Sequence, residues 1–600
     1  MGVTGVRKTE MQKSLNTKLK KKFLSSNENN QTSKGTLYDE KYAWLDQMFS
    51  TMVGKASYSL SPASISLSYC DWLLQLLLMP GKQQELLQKT REAIKCLFDN
   101  SHKSPTQATI DKRFLHSGWN FFPFSFYKRA HLISEAVWTE IFTTVPGVSS
   151  HHKDILNYIA RQANNLYSPT NFVLTNPEVL EATIQQSGAN LVRGLTYLIE
   201  DYFRHLTAEE SESLKKFKPG RDLAVTPGKV VFKNDLIELI QYSPTTDTVY
   251  EEPLLFVPAW IMKYYILDLS PHNSLVKYMV NQGHTVFMIS WKNPTYADQN
   301  IGFDEYVNLG VLAALKEIEK ICGTSKIHAC GYCLGGTLLS MAASYLAKQK
   351  NNPLKTVTML AAQIDFEEAG EILLFVDDNQ VNFLQNIMKK QGYLDKKQLK
   401  GSFEMIRSYD LIWSYRLRRY LLGLPEELSD MKAWNSDETR LPYRMHSDYL
   451  EKLYLHNSLA EGHFQINGDT LSVRDISCPI FSVSTIRDHI SPWKSVYKIH
   501  LLSNTEVTYV LASGGHNMGV ISEPGHPKGN FQVRTSAAED IYIAPEDWQK
   551  KTPLTQGSWW VSWKDWLKEH SSSEKINPPP LGSAQEKPLP DAPGTFIFEP

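Results

Sequence analysis

One cysteine is placed where its chemistry would count. Cys333 lies in the run Gly331-Tyr332-Cys333-Leu334-Gly335-Gly336, after a β-like stretch at 326–329 and before a helix-compatible one at 337–350. This is the G-x-S-x-G strand-to-helix turn with cysteine in the serine slot. Such a turn pushes the nucleophile into the open, and bulk at Gly331 or Gly335 would collide with neighbouring backbone. The backbone N–H of Leu334 then falls at a helix N-terminus, where it can donate to an oxyanion. A free thiol has a pKa of about 8.5 and is mostly protonated at neutral pH, so Cys333 needs a base.

A nucleophile on this turn takes its partners from loops after late strands of an α/β-hydrolase sheet, the acid first in the chain and the histidine last. A β-rich run at 479–485 leads into Ile486-Arg487-Asp488-His489-Ile490, and another at 507–511 into Ser513-Gly514-Gly515-His516-Asn517. Asp488 and His516 thus occupy the strand ends where an orienting acid and a general base belong. Each has a plain alternative: an aspartate at a strand end is most often a turn or cap residue, and a histidine beside two glycines a loop residue. His489 competes as a base. Its neighbour Asp488 cannot readily orient it, because adjacent side chains on an extended turn diverge, and His489 is read as positioning or substrate-proximal. Arg487 would lower the pKa of Asp488 or simply be solvated. A second oxyanion donor should follow an earlier strand. The run 254–257 leads into Pro258-Ala259-Trp260. Proline has no N–H, so Ala259 or Trp260 must donate; Trp260 is also read as substrate-proximal.

These residues need a scaffold. After residue 220, β-rich runs at 225–232, 237–242, 254–257, 285–290, 356–360, 480–485 and 507–511 are interleaved with helical patterns such as 303–320. That alternation predicts a mostly parallel sheet with crossovers. Residues 365–460 are aromatic-rich, show no clean strand and break the rhythm where this fold carries a cap over its site. Before residue 220 the chain reads as helices: apolar steps at Leu67, Cys70, Leu74 and Leu77, a Pro80-Gly81 break, and further runs at 83–98, 127–143, 153–165 and 181–206. The apolar run 72–79 is too short for a bilayer and suits a buried helix. The predicted division is a disordered tail at 1–40, a mainly helical domain at 41–218, a catalytic domain at 219–570 with its cap at about 365–460, and a loosely ordered Pro-, Ser- and Gly-rich tail at 571–600.

Bulk properties exclude several classes. The 600 residues carry 63 Lys+Arg against 64 Asp+Glu, for a net charge of −1. No global basic field points to nucleic acid, and no apolar run is long enough for a transmembrane helix. Of the six cysteines only Cys330 and Cys333 have CxxC spacing, without a second pair and with Cys333 in the elbow, so neither a metal site nor a redox role is expected. A nucleophilic thiol fits a reducing cytoplasm. The lysines between Lys8 and Lys22 lack the apolar core of a signal peptide.

The chain resembles the polyhydroxyalkanoate synthases of the single-subunit kind, class I or class II. The matching segments include SPTNFVLTNPEVL at 168–180, GANLVRGL at 188–195, PAWIMKYYILDL at 258–269, GHTVFMISWKNP at 283–294 and GYCLGG at 331–336. They continue with Trp434-Asn435-Ser436-Asp437, Leu441-Pro442, Arg487-Asp488-His489, Pro492-Trp493, 513–519 and Gly557-Ser558-Trp559-Trp560. Met262 departs from the family, which more often has asparagine there. The resemblance implies an α/β-hydrolase catalytic domain with a cap insertion behind a helical N-terminal domain. It makes Cys333, Asp488 and His516 the catalytic Cys, Asp and His. It also implies a 3-hydroxyacyl-CoA substrate, a growing polyester chain, no cofactor, a homodimer, and attachment to polyester granules in the cytoplasm.

Cysteine suits that chemistry. A thiolate attacking a thioester yields another thioester, so the acyl group stays activated, and attack by the next monomer's hydroxyl gives an oxoester downhill. A serine would lose that activation in the first step. The nearest rival is a thioesterase or polyester depolymerase on the same fold; a non-catalytic granule-surface protein would leave the triad unexplained.

Overall fold

The computed structural model describes residues 53, 61–98, 111–207, 209–396, 398, 412–583 and 590–600. The sequence expectation for 1–40 lies outside them, as does part of the cap. One ten-stranded sheet dominates. Its strands are β1 (Gly228–Lys233), β2 (Ile237–Tyr242), β3 (Leu254–Val257), β4 (Val286–Trp291), β5 (Ile327–Tyr332), β6 (Leu354–Leu360), β7 (Ile480–Thr485), β8 (Val507–Ala512), β9 (Asn530–Ser536) and β10 (Leu554–Gln556). They lie in the order β1-β2-β4-β3-β5-β6-β7-β8-β9-β10. The strands from β4 through β8 in that order run parallel, and antiparallel strands extend both edges. Strands β2, β3, β4, β5, β7 and β8 are buried over their whole length, as central strands of a sheet covered on both faces must be. This is the α/β-hydrolase sheet that the run of β-rich segments predicted.

The helices before the sheet include α1 (Pro62–Leu77), α2 (Pro80–Phe98), α3 (Phe124–Thr143), α4 (Ser150–Leu166), α5 (Pro177–Gln185) and α6 (Ala189–Thr207). A small core of Trp72, Leu86, Val145, Val148 and Leu156 holds α1, α2 and α4 together, apart from the large core around the sheet. Two sequence readings are corrected here. The helix predicted at 181–206 is two helices, because Ser187 and Gly188 take left-handed φ values of 49° and 82° and turn the chain. The apolar run 72–79 is not a buried stretch: Leu74 and Leu77 are each 61% exposed, and α1 instead buries Ser64, Ser68 and Trp72. The reason is packing on polar partners, with Ser64 Oγ donating to Asp377 in the cap at 2.9 Å.

The cap carries α8 (Asp378–Gln391) and α9 (Asp430–Asn435) and follows α7 (Leu334–Ala347), the helix that leaves the elbow, and β6. Its described residues include a short antiparallel ribbon, Tyr393–Leu394 with Leu441–Pro442, that no sequence pattern marked. The N-terminal helices grip the cap through polar contacts. Asp201 of α6 accepts two bonds from Arg419, at 2.7 and 2.9 Å, and a third from Tyr415 at 2.9 Å. Asn190 donates to the carbonyl of Leu421 at 2.8 Å. A third correction concerns the end of the chain. Over 571–583 and 590–600 it is not loose: Lys575–Ile576 pairs with Val249–Tyr250, and Phe596 and Ile597 are buried. Proline-rich composition suggested disorder, but the segment's backbone groups find partners on the sheet, where Glu238 of β2 accepts from the N–H groups of Thr595 and Phe596 at 2.8 and 2.9 Å.

Candidate active site

The elbow is set by close backbone approach. A side chain at Gly331 would put its Cβ 2.4 Å from Gly336 Cα, and one at Gly335 would put it 2.0 Å from the carbonyl oxygen of Val257. One at Gly336 would meet Ala362 Cβ at 2.4 Å. Between them Cys333 sits at φ 53°, ψ −127°, a conformation that L residues avoid and that costs about 1–3 kcal/mol. The N–H of Cys333 donates to the Leu360 carbonyl at 2.8 Å, which fastens the strained residue to β6. Leu334 opens α7, so its N–H has no partner within the helix and is free to face an oxyanion.

The structure brings Asp488 and His516 together. Asp488 Oδ2 lies 2.8 Å from His516 Nδ1, with the carboxylate fully buried and the imidazole 10% exposed. The other oxygen, Oδ1, accepts from the N–H groups of Ile490 and Ser491 at 2.9 and 2.8 Å, which fixes the carboxylate plane. Burial alone would push the His516 pKa down. The negative charges of Asp488 and Cys333, together with hydrogen bonds to both, override it and raise the pKa well above the ordinary histidine value. With Nδ1 on Asp488, the remaining ring nitrogen serves Cys333. The arrangement can take the thiol proton and hold it as imidazolium beside thiolate.

The loop at Pro258-Ala259-Trp260 passes directly over Gly335. The indole Nε1 of Trp291 donates to the Pro258 carbonyl at 2.9 Å. In a planar trans peptide the N–H points opposite to the carbonyl, so this bond also aims the Ala259 N–H. Ala259 is buried, and among the described residues its N–H meets no acceptor. A buried unpaired donor is rare and fits a group kept for an oxyanion. Trp260 points elsewhere: its ring packs on Phe303 and Tyr306, at centroid distances of 6.0 and 5.4 Å, and its carbonyl accepts from Thr439. His489 is exposed and outside the Asp488–His516 pair, and the side chain of Arg487 is exposed too.

Several contributors escaped the sequence reading. Tyr332, whose ring lies tilted 5.6 Å from the His516 ring, donates to Asn517 at 2.8 Å and so pins the histidine loop. From behind, the helix α10 (Trp559–Glu569) turns the indoles of Trp559 and Trp560 onto the carbonyls of Gly519 and Val520, at 3.0 and 2.9 Å. From the cap, Tyr449 and Tyr454 come within 3.0 Å of each other through their hydroxyls. Burial raises both phenol pKa values, and the charge of Cys333 adds to the rise. Cys333 itself is only 7% exposed beneath this cover. Gly-x-Cys-x-Gly-Gly was a signal for the elbow; no spacing could have announced contacts between residues 40 positions apart (Trp559 and Gly519) and 185 apart (Tyr332 and Asn517).

Fold and site together define an α/β-hydrolase-type protein with cysteine at the nucleophile elbow. Residues 40–82 match the model of the poly-beta-hydroxybutyrate polymerase N terminal region, 110–279 that of the poly-beta-hydroxybutyrate polymerase (PhaC) N-terminus, and 252–521 the alpha/beta hydrolase fold. A poly(3-hydroxyalkanoate) polymerase of Methylorubrum extorquens is 40% identical over 491 residues, covering 81% of this chain and 80% of that one. The polymerase subunit PhaC of Cupriavidus necator is 32% identical over 537 residues, covering 88% of this chain and 90% of that one. Among solved structures, a soluble variant of monoglyceride lipase from Saccharomyces cerevisiae covers 58% of this chain and 96% of its own, at 13% identity and a TM-score of 0.33. That likeness carries no weight for function. The chain belongs to the poly(3-hydroxyalkanoate) polymerase family.

Proposed function

We propose that this chain polymerises 3-hydroxyacyl-CoA thioesters into a polyester with release of CoA. The observation that carries the reading is the Cys333–His516–Asp488 arrangement, buried beneath the cap in a chain of the poly(3-hydroxyalkanoate) polymerase family. His516 takes the Cys333 proton, and the thiolate attacks the thioester carbonyl. The tetrahedral oxyanion is held by the N–H groups of Leu334 and Ala259, each such donor being typically worth about 3 kcal/mol. Collapse breaks the bond to the CoA sulfur, which leaves with the proton from His516 as the free thiol. His516 then takes the proton of an incoming 3-hydroxyl, whose oxygen attacks the acyl-Cys333 carbon. The C–S bond breaks, an oxoester forms, and the proton returns to the Cys333 sulfur. Asp488 holds the imidazole tautomer throughout. The cap keeps water from taking the place of the hydroxyl.

The same reading places the protein in the cytoplasm on polyester granules, as a homodimer and without a cofactor. No helix among the described residues is long and apolar enough to cross a membrane. The exposed apolar residues Leu195, Ile199, Tyr202, Phe203 and Leu206 of α6 suit contact with an apolar surface. The test is Cys333→Ala assayed with 3-hydroxybutyryl-CoA while CoA release is followed. Loss of release is expected, and full activity would sink the assignment.

A further inference from the structure

We infer that Lys263 is a positioning residue for the oxyanion loop, and that the segment Thr595–Pro600 is the strap through which it acts. The inference rests on the acyl-transfer reading above, with Ala259 as a donor. Lys263 follows Ala259 by four residues, is 4% exposed, and sits in the wall between the oxyanion loop, the cap and the last residues of the chain. Its ammonium donates to the carbonyls of Phe596 and Glu599, at 3.2 and 2.8 Å. Its own carbonyl accepts from the indole of Trp434 in the cap, at 2.8 Å.

A buried ammonium is expensive to place, and an apolar side chain of the same length would fill the space at lower cost. Lysine offers a fastening that an apolar residue cannot. The strap is anchored on the sheet, where the β2 carboxylate of Glu238 holds the N–H groups of Thr595 and Phe596. At its far end Glu599 Oε2 accepts from the Asn293 N–H at 2.7 Å, and Asn293 Oδ1 accepts in turn from the Arg440 N–H of the cap at 2.9 Å. Lys263 joins this anchored segment to the loop. Met262 beside it bridges Glu438 of the cap, so the backbone here serves as an edge for pairing. The loop that carries Ala259 is therefore clamped from two sides: by Trp434 and Thr439 from the cap, and by the strap through Lys263.

A donor held this way acts on the transition state, so loosening it should lower kcat and leave KM alone. The test is Lys263→Met in the full chain, assayed for CoA release from 3-hydroxybutyryl-CoA, with circular dichroism at the assay temperature. The expected result is a folded protein with kcat down about 10- to 100-fold and KM within about twofold. Glu599→Ala, which frees the strap from Asn293 at a half-exposed position, should show the same split at about three- to tenfold. An unchanged kcat, or a raised KM with kcat intact, overturns the inference. Where Lys263→Met does not fold, Glu599→Ala decides by the same criteria. A wild-type chain that releases no CoA overturns the acyl-transfer reading itself, and the inference falls with it.

Discussion

The elbow and the proposed oxyanion loop meet at Gly335, yet they are built by opposite means. The elbow is a local object: six consecutive residues, three of them glycines, in which each absent side chain answers an atom 2.0 to 2.4 Å from where its Cβ would be. The oxyanion loop has no such internal logic. It is held by Trp291, by Trp434 and Thr439 from the cap, and by Phe596 and Glu599 through Lys263. Half of the site is therefore fixed by sterics within a short stretch, and half by hydrogen bonds that arrive from distant parts of the chain. Sterics of the first kind fail abruptly when altered, while distributed bonds fail by degrees.

The largest effect should come from the elbow. Gly335→Ala forces Val257 and Pro258 away from α7, moving the oxyanion loop and the nucleophile apart; a misplacement of about 1 Å costs on the order of 10²-fold. CoA release should fall by at least that factor. A milder loss, no greater than that of a single hydrogen-bond deletion, would break the contrast. Next comes acid. His328 on the elbow strand and His284 before β4 are buried, with pKa values pushed down to about 3, chiefly by burial. In the unfolded chain both titrate near 6.5, so their contribution to stability is complete above that pH and is lost as the pH falls toward 3. At pH 5 the loss is about 2 kcal/mol per histidine. Thermal unfolding against pH should show this slope, reduced in His328→Gln.

The distributed side should respond more gently. Trp291→Phe removes the donor to the Pro258 carbonyl but keeps an aromatic ring, and should lower kcat about tenfold with little change in KM. Thr439→Val deletes one of the bonds to the loop, at the Trp260 carbonyl, and should cost about threefold. Should the threonine variant lose as much as Gly335→Ala, the loop would be no less brittle than the elbow.

The same contrast explains what the sequence could reveal. The elbow was legible because its constraint is local, and Asp488 and His516 were legible because strand ends mark their loops. Strands with continuous apolar runs stood out; β10, exposed along its whole length, did not. The helix α1 misled, because apolar spacing at Leu67, Leu74 and Leu77 describes its exposed side, while its contact side is held by serines. The Trp559 and Trp560 indoles behind the histidine loop, and the Lys263 strap, leave no periodic trace at all. Their meaning depends on which residue lies opposite, and only the folded chain supplies that.

In the proposed mechanism Cys333 keeps the acyl group activated for a hydroxyl nucleophile instead of surrendering it to water. The most direct measurement gives the purified protein 3-hydroxybutyryl-CoA, follows CoA release, and weighs chloroform-soluble polyester against free 3-hydroxybutyrate. Polyester nearly stoichiometric with released CoA is expected, with neither product from Cys333→Ala. Free hydroxy acid equal to the CoA released would contradict it and make the protein a thioesterase.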